Sequence, residues 1–387
     1  MTEQLYREAE SHGAKGWWLQ GADVELFLTE QGGQHAPVNF RLDNGKSVQP
    51  FYLSPWQERK PDLSAIPLLQ YLRGDFFCLP FGGNAEAVDG HQYQCHGETS
   101  ACAWKLASAV RNDSAVHFEF MQDGRVLPTH VRKHIELRDG QSALYLIHEV
   151  TGVEGKMPYG HHAILKMPSA KERMYFSCGK FDLGMTPTSI FSDPANWEYQ
   201  FLAPGEEFSS LEALPTLFKK PATWDYSVYP SPVGYTDLFA LLKKPAATPA
   251  WAVASYTDAG YLFYSLKNAA ELPSTTIWVA NSGRYEEPWN GVSSNFAIEE
   301  TCSYFADGWK PSIEENALTR KGWRTCGEFH ADEPKSVHLI QGVTAIPAGF
   351  TKVAAAEFRP GEVVFTDGQG LKATARVDWE FLVKVKG

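Results

Sequence analysis

The apolar residues of this chain recur at every second position more often than at every third or fourth. Val24, Leu26 and Leu28 alternate with Asp23, Glu25 and Phe27, and Val116, Phe118 and Phe120 alternate with His117 and Glu119. From 377 to 385, Val377, Trp379, Phe381, Val383 and Val385 alternate with Asp378, Glu380, Leu382 and Lys384. Successive strand side chains point to opposite faces, so this period predicts strands with one face buried. Asn44-Gly45, Asp89-Gly90, Asp123-Gly124, Asp139-Gly140 and Asp367-Gly368 punctuate the runs, and such pairs accept the positive φ angles of tight hairpins. Helical patterns are few. One covers residues 2–12, and one runs from Thr236 to Lys244 with Thr236 as N-cap and Pro245 as stop. The expected fold is all-β: a large antiparallel β-sandwich with few short helices.

Pro187 to Pro232 is rich in Pro, Ser and aromatics and has weak periodicity. It reads as a long decorated loop, an inserted hairpin or a boundary between domains. No composition shift flanks it, so a single domain over residues 1–387 is expected. Hydrophobic residues make up 43% of the chain, enough for a sizeable core.

The net charge of −11 argues against nucleic acid as a partner, because phosphate-binding surfaces need clustered Lys and Arg. Here the basic residues cluster only as pairs, such as Arg132-Lys133, Lys219-Lys220 and Lys243-Lys244. No apolar run approaches the ~18 residues of a membrane span. The first residues lack the basic start and apolar core of a signal peptide, so a cytoplasmic location without membrane contact is expected. The six cysteines contain no C-x-x-C pair and read as reduced. Edge strands of a sandwich can pair, so the expected state is a monomer or a homodimer.

Several motifs are set aside. Gly368-Gln369-Gly370-Leu371-Lys372-Ala373 matches a dinucleotide-binding pattern but sits in a hairpin-like turn with no helix after it. There is no nucleophile elbow, phosphate-binding loop or zinc-protease helix motif. His91, Cys95 and His96 do not converge when placed on a strand, so no metal is expected. His117, His130 and His134 read as solvated face residues, and His148 is ambiguous. His12, His35, His330 and His338 have no chemical neighbours in the sequence.

Three distant segments carry the chemistry. They are Gln94-Cys95-His96-Gly97, Pro158-Tyr159-Gly160-His161-His162 and Ala297-Ile298-Glu299-Glu300. Imidazoles and a carboxylate suit moving a proton off one oxygen and onto another. The stretch from Arg284 to Glu300 supplies aromatics, Asn and acid, including Trp289 and Asn290, which is the side-chain chemistry that binds sugars.

In order, the Pro80-Phe81-Gly82-Gly83-Asn84 turn, His96-Gly97, Gly160-His161-His162 and Ile298-Glu299 resemble the aldose 1-epimerase (galactose mutarotase) family. The resemblance covers about residues 70–305. It implies a galactose mutarotase-like supersandwich, one site in an open groove, no cofactor and a small-molecule sugar as partner. The implied activity is interconversion of the α and β anomers of a hexose or related sugar. His96 matches the family histidine that orients the sugar near its ring oxygen. His162 matches the general acid, with His161 as competitor, and Glu299 the general base, with Glu300 as runner-up. The family's Arg beside the Asn motif is not in place; Arg73 lies eleven residues before Asn84. Asp237 stands in for the family's substrate-binding Asp. The implied binding set is Arg73, Asn84, His161, Asp237, Trp289 and Asn290. Two alternatives remain: a binding or sensing protein on the same fold, and an epimerase for a phosphorylated or acidic sugar, which would need Arg or Lys at the groove.

Overall fold

The computed structural model describes residues 4–57, 59 and 61–383. Two large antiparallel sheets face each other. One has seven strands, in the order Glu207–Phe208, Leu183–Met185, Tyr235–Leu242, Ser274–Asn281, Ser294–Cys302, Tyr159–Lys166 and Phe77–Cys78. The other has nine, in the order Val228–Tyr229, Met174–Cys178, Ala250–Tyr256, Tyr261–Lys267, Lys335–Ala345, Ala143–Thr151, His130–Arg138, Ala115–Asp123 and Lys105–Arg111. Inward-facing Phe239, Ile277, Ile298 and Ala163 of the first sheet share a core with Leu146, Ala254, Phe263 and Leu339 of the second. The expected all-β sandwich is therefore the observed architecture.

Three further layers close the molecule. A five-stranded sheet spans residues 6–48 and joins the main core through Trp17, whose ring lies 5.2 Å from that of Phe120. A three-stranded sheet, Val353–Arg359, Glu362–Asp367 and Lys372–Arg376, covers Tyr264, Leu266 and Ile340 on the outer face of the nine-stranded sheet. Loops and the short Pro67–Gln70 helix cover the outer face of the seven-stranded sheet, where Leu238, Trp278, Ala297 and Ile164 lie side by side in register.

This double coverage explains one correction. The helix expected from Thr236 to Lys244 is the strand Tyr235–Leu242. Its run of apolar residues is buried on both faces, and a central strand buried on both faces shows no alternation. A second correction concerns the N-terminus. Tyr6–Ser11 is a strand paired with Ala14–Gln20, not part of a helix over 2–12; residues 2 and 3 lie outside the described residues. Helix-forming Glu and Ala yield there to the ladder of the partner strand. A third is the strand read over 377–385. Residues Trp379–Leu382 form a 3-10 turn, and residues 384 and 385 lie outside the described residues. Val377 and Leu382 are buried there, and the Trp379 indole donates to the Arg359 carbonyl.

The strands read at Val24–Leu28 and Val116–Phe120 are present within Val24–Thr29 and Ala115–Asp123. The Gly368–Ala373 motif is the hairpin between the last two strands. The 187–232 stretch is a decorated loop that carries the Leu214–Pro215/Thr223–Trp224 hairpin and a Pro194–Asn196 turn, and it lends the edge strands Glu207–Phe208 and Val228–Tyr229 to the two large sheets.

A polar layer runs through the sandwich interior. Glu300 Oε2 pairs with Lys267 Nζ at 2.5 Å and accepts from Thr275 Oγ1 at 2.7 Å, and its Oε1 accepts from Ser265 Oγ at 3.0 Å. Nearby, His161 Nδ1 lies 2.8 Å from Asp75 Oδ2, which is 3.8 Å from His35 Nε2. His35 thus has a carboxylate neighbour brought from forty residues away, which its own stretch of sequence does not show. His148 is also buried and stacks on Phe77 at 4.2 Å.

Removing one member of a buried pair strands the other charge, at a cost of about 3–5 kcal/mol. Lys267→Met should therefore lower unfolding free energy by about that amount in a denaturant titration. Lys267→Met with Glu300→Gln should recover most of it. Equal losses in the two would show that the ion pair is not what holds this layer.

Candidate functional site

Strand register decides which of the paired residues meet. His162 lies directly opposite Glu299, and His161 directly opposite Glu300. Because faces alternate, one pair must point outward and the other into the sandwich. His161 and Glu300 take the inner face and make the bonds described above. His162 and Glu299 take the outer face and line a cavity of about 210 Å³ with His96, Arg284, Trp278 and Trp289. Leu68, Leu69, Leu72, Phe191 and Leu238 make much of the rest of its wall.

His96 reaches the cavity from a tight turn. Its φ is 57°, and that of Gly97 is 74°. A Cβ at Gly97 would lie 1.9 Å from the Leu79 carbonyl oxygen, so only glycine allows the chain to pass there. The Gly82 N–H donates to His96 Nδ1 at 3.3 Å, which leaves Nε2–H as the donor of the ring. Phe81 stands edge-on to His96 at 4.7 Å, and Phe76 stacks on His162 at 4.8 Å, so both imidazoles are held against rotation.

The central contact is His162 Nε2 to Glu299 Oε1, at 3.1 Å. Burial pushes Glu299 well above the ordinary carboxylate range, and Arg284 draws it back. Burial pushes His162 down to about 4, against the pull of Asp75 behind it. His96 is also driven well below its usual value by burial and by His162. The raised Glu299 and lowered His162 together favour a state with one ionisable proton for the two groups. The neutral pair and the ion pair are tautomers of that state. Burial favours the neutral form. Arg284 beside Glu299 and Asp75 behind His162 favour the charge-separated one.

Arg284 is itself enclosed. Its guanidinium lies 5.0 Å from the Trp289 ring, 5.5 Å from Phe191 and 5.6 Å from Trp278. Its Nε is 3.2 Å from Glu198 Oε1. The cavity therefore presents aromatic faces and a compensated cation rather than a free positive patch.

Of the residues expected from sequence, His96, His162, Glu299 and Trp289 come together in this cavity. The others do not line it. Arg73 is buried against the turn of the first hairpin, donating to the Ser11, His12 and Tyr71 carbonyls and to Gln57. Asn84 accepts from the Trp309 N–H at 2.8 Å and donates to Pro80 and Gln94, tying together the loops that carry Gly83 and His96. Asp237 faces inward, where it accepts from the Phe201 and Leu202 N–H groups and from the Tyr226 hydroxyl. Asn290 donates to Glu287 at an exposed turn. His161 is on the inner face.

The expected binding set lacks Trp278 and the leucine wall, and it lacks Arg284, which the sequence offers only as an isolated basic candidate for the groove. Trp278 was legible in principle, since it shares a face with Ala280 on an apolar strand. Leu68 and Leu69 come from a short helix that no sequence period announces, Leu72 follows it, and Leu238 comes from the strand Tyr235–Leu242. Among the described residues, no group of three or more His, Cys, Asp or Glu is arranged to hold a metal ion. Likewise, no described helix is long and apolar enough to cross a membrane.

The fold has solved counterparts. A galactose mutarotase-like protein from Clostridium acetobutylicum superposes with a TM-score of 0.58 at 13% identity, covering 88% of this chain and 98% of that one. One from Lactobacillus casei gives 0.53 at 12%, covering 84% and 99%. A galactose mutarotase related enzyme from Lactobacillus acidophilus gives 0.50 at 10%, covering 85% and 97%. The chain has the galactose mutarotase-like fold. No protein-family model matches it, and no curated protein sequence does.

The raised Glu299 has a thermodynamic consequence. From about pH 4.3 upward the unfolded chain releases this proton while the folded chain keeps it, so stability falls until Glu299 itself ionises. Glu299→Gln removes that penalty. The variant should be more stable than the parent at pH 8, with the difference nearly gone at pH 4, in denaturant melts at both values. A variant less stable at pH 8 would mean that Glu299 is ionised and well paired in the folded protein.

Proposed function

We propose that the cavity binds the pyranose ring of a reducing sugar, and that His162 and Glu299 interconvert its α and β anomers. The 3.1 Å contact between them carries this reading. The two oxygens that exchange protons in mutarotation, the C1 hydroxyl and the ring oxygen, are bonded to the same carbon. An acid and a base serving them must be near neighbours, and these two are.

In the charge-separated form, Glu299 takes the proton of the C1 hydroxyl while His162 gives its proton to the ring oxygen. The C1–O5 bond breaks, leaving an open-chain aldehyde with a free C5 hydroxyl and a neutral pair. After rotation about C1–C2, the same transfers run backward on the other face of the carbonyl. Protons balance over the cycle, and no cofactor is consumed. Arg284 favours the Glu299 carboxylate, and Asp75 the His162 imidazolium, that open the ring. His96 Nε2–H holds an oxygen of the sugar, and Trp278 and Trp289 offer faces to its C–H groups.

A neutral sugar fits better than a phosphorylated one. Among the described residues, Arg284 is the one Lys or Arg lining the cavity, and Glu198 and three aromatic rings already engage it. The common core of the two large sheets supports reading residues 1–387 as one domain. The six free cysteines fit a cytoplasmic setting.

Optical rotation of freshly dissolved α-D-galactose and α-D-glucose tests this. The protein should speed relaxation, and Glu299→Gln should slow it by roughly 10²-fold or more. The pH–rate profile should be bell-shaped. It should fall toward acid as the pair gains a second proton, near the depressed value of about 4 for His162, and toward alkali as the pair loses its only one. A protein that binds either sugar without accelerating rotation would be a binding protein on this fold.

A further inference from the structure

One carboxylate bears on the cavity from outside it. Glu198 is not among the residues that line the cavity, yet its Oε1 lies 3.2 Å from Nε of Arg284, which does line it. The backbone keeps the two in register. Glu198 and Arg284 form an antiparallel bridge, flanked by the Tyr199 N–H donating to the Gly283 carbonyl at 3.0 Å and the Tyr285 N–H donating to the Trp197 carbonyl at 3.1 Å. Residues directly opposite each other in such a pairing send their side chains to the same face. The Glu198 N–H donates to the Asp193 carbonyl at 3.2 Å, which closes the turn before it.

Glu198 meets the guanidinium from the Nε side. Among the described residues, no acceptor hydrogen-bonds either terminal nitrogen of Arg284. Arginine presents its N–H donors in a fixed fork and stays charged, and a planar carboxylate is the acceptor that fits this fork best. The cavity therefore has the donors for an anion, while Glu198 already balances the charge that would draw one in. On the facing wall, Glu299 and His162 have one ionisable proton between them and add no net charge. The sign of the field inside the cavity is left to Arg284 and Glu198.

We propose that Glu198 is the specificity-determining residue of this site: by balancing Arg284 from outside the cavity, it makes the protein prefer a neutral hexose to the corresponding uronate, the same ring with a carboxylate at C6. This rests on the reading of the cavity as a sugar site. The two sugars are nearly equal in size, so shape separates them little. Charge separates them, because selectivity between similar ligands is built from repulsion of the wrong one as well as attraction of the right one. Without Glu198, Arg284 would be an enclosed cation with no counter-charge, and a uronate would supply it.

The test is titration calorimetry of the full chain with D-glucose and D-galactose against D-glucuronate and D-galacturonate, with optical rotation on the same samples. The parent should favour each hexose over its uronate. Glu198→Gln should raise the uronate-to-hexose ratio of affinities, and of kcat/KM, by roughly tenfold, the effect of removing one charge several ångströms away in a partly buried site. The change should lie in KM rather than kcat, because the C6 group does not react. Arg284→Gln should move the ratio the other way, and the double variant should return it toward that of the parent. A loop merely loosened by Glu198→Gln would weaken both sugars alike. The proposal is overturned if the parent prefers a uronate, if either single variant leaves the ratio unmoved, if the double variant keeps the shift of Glu198→Gln, or if no sugar binds. A shifted affinity ratio without faster rotation would uphold the role of Glu198 and reject the mutarotase reading. Faster rotation with an unmoved ratio would do the reverse.

Discussion

The pairing of His162 with Glu299 across two neighbouring strands is the constraint on which the site depends. A slip of one residue would send both into the sandwich and bring His161 and Glu300 out. The inner pair prevents the slip. Glu300 is fixed by Lys267, Ser265 and Thr275, and His161 by Asp75. Each of the two cavity residues therefore has a neighbour of its own type on the opposite face whose bonds hold the strand in place. In each of the duplicated His-His and Glu-Glu, one residue anchors the strand and the other faces the cavity.

Burial supplies the electrostatics. A carboxyl and an imidazole removed from water would each shed their charge, Glu299 by holding its proton and His162 by losing one. Placed 3.1 Å apart they do this together, with one proton for both. The charged groups behind them, Arg284 and Asp75, oppose that neutralisation and keep the ion-pair tautomer within reach. The arrangement costs stability, because two ionisable groups are removed from water. The rigid interior behind it, with packed aromatic rings and a satisfied Lys267–Glu300 pair, offsets that cost.

Much of the fold was legible in the sequence wherever one face of a strand is buried and the other is wet, as at Val24–Thr29 and Ala115–Asp123. It was illegible where both faces are covered. Tyr235–Leu242 has no polar face to set a period, and its Thr and Pro flanks imitate helix signals. In the site, order and spacing along the chain brought His96, His162 and Glu299 to attention, and the structure groups them with Trp289. Which of two adjacent residues faces the cavity needed the register, which only long-range pairing supplies. Arg73, Asn84 and Asp237 are polar residues most of whose bonds go to groups ten or more residues away in sequence. That use of a side chain leaves no local trace. Leu68 and Leu69 of the cavity wall come from a helix too short to show a period.

The most direct measurement is a crystal structure of the protein with a bound reducing hexose, read for the position of C1. The account predicts the ring inside the cavity, with the C1 hydroxyl within hydrogen-bond distance of the Glu299 carboxyl and the ring oxygen within reach of His162. A sugar held outside the cavity, or inside it with C1 turned away from both residues, would contradict it.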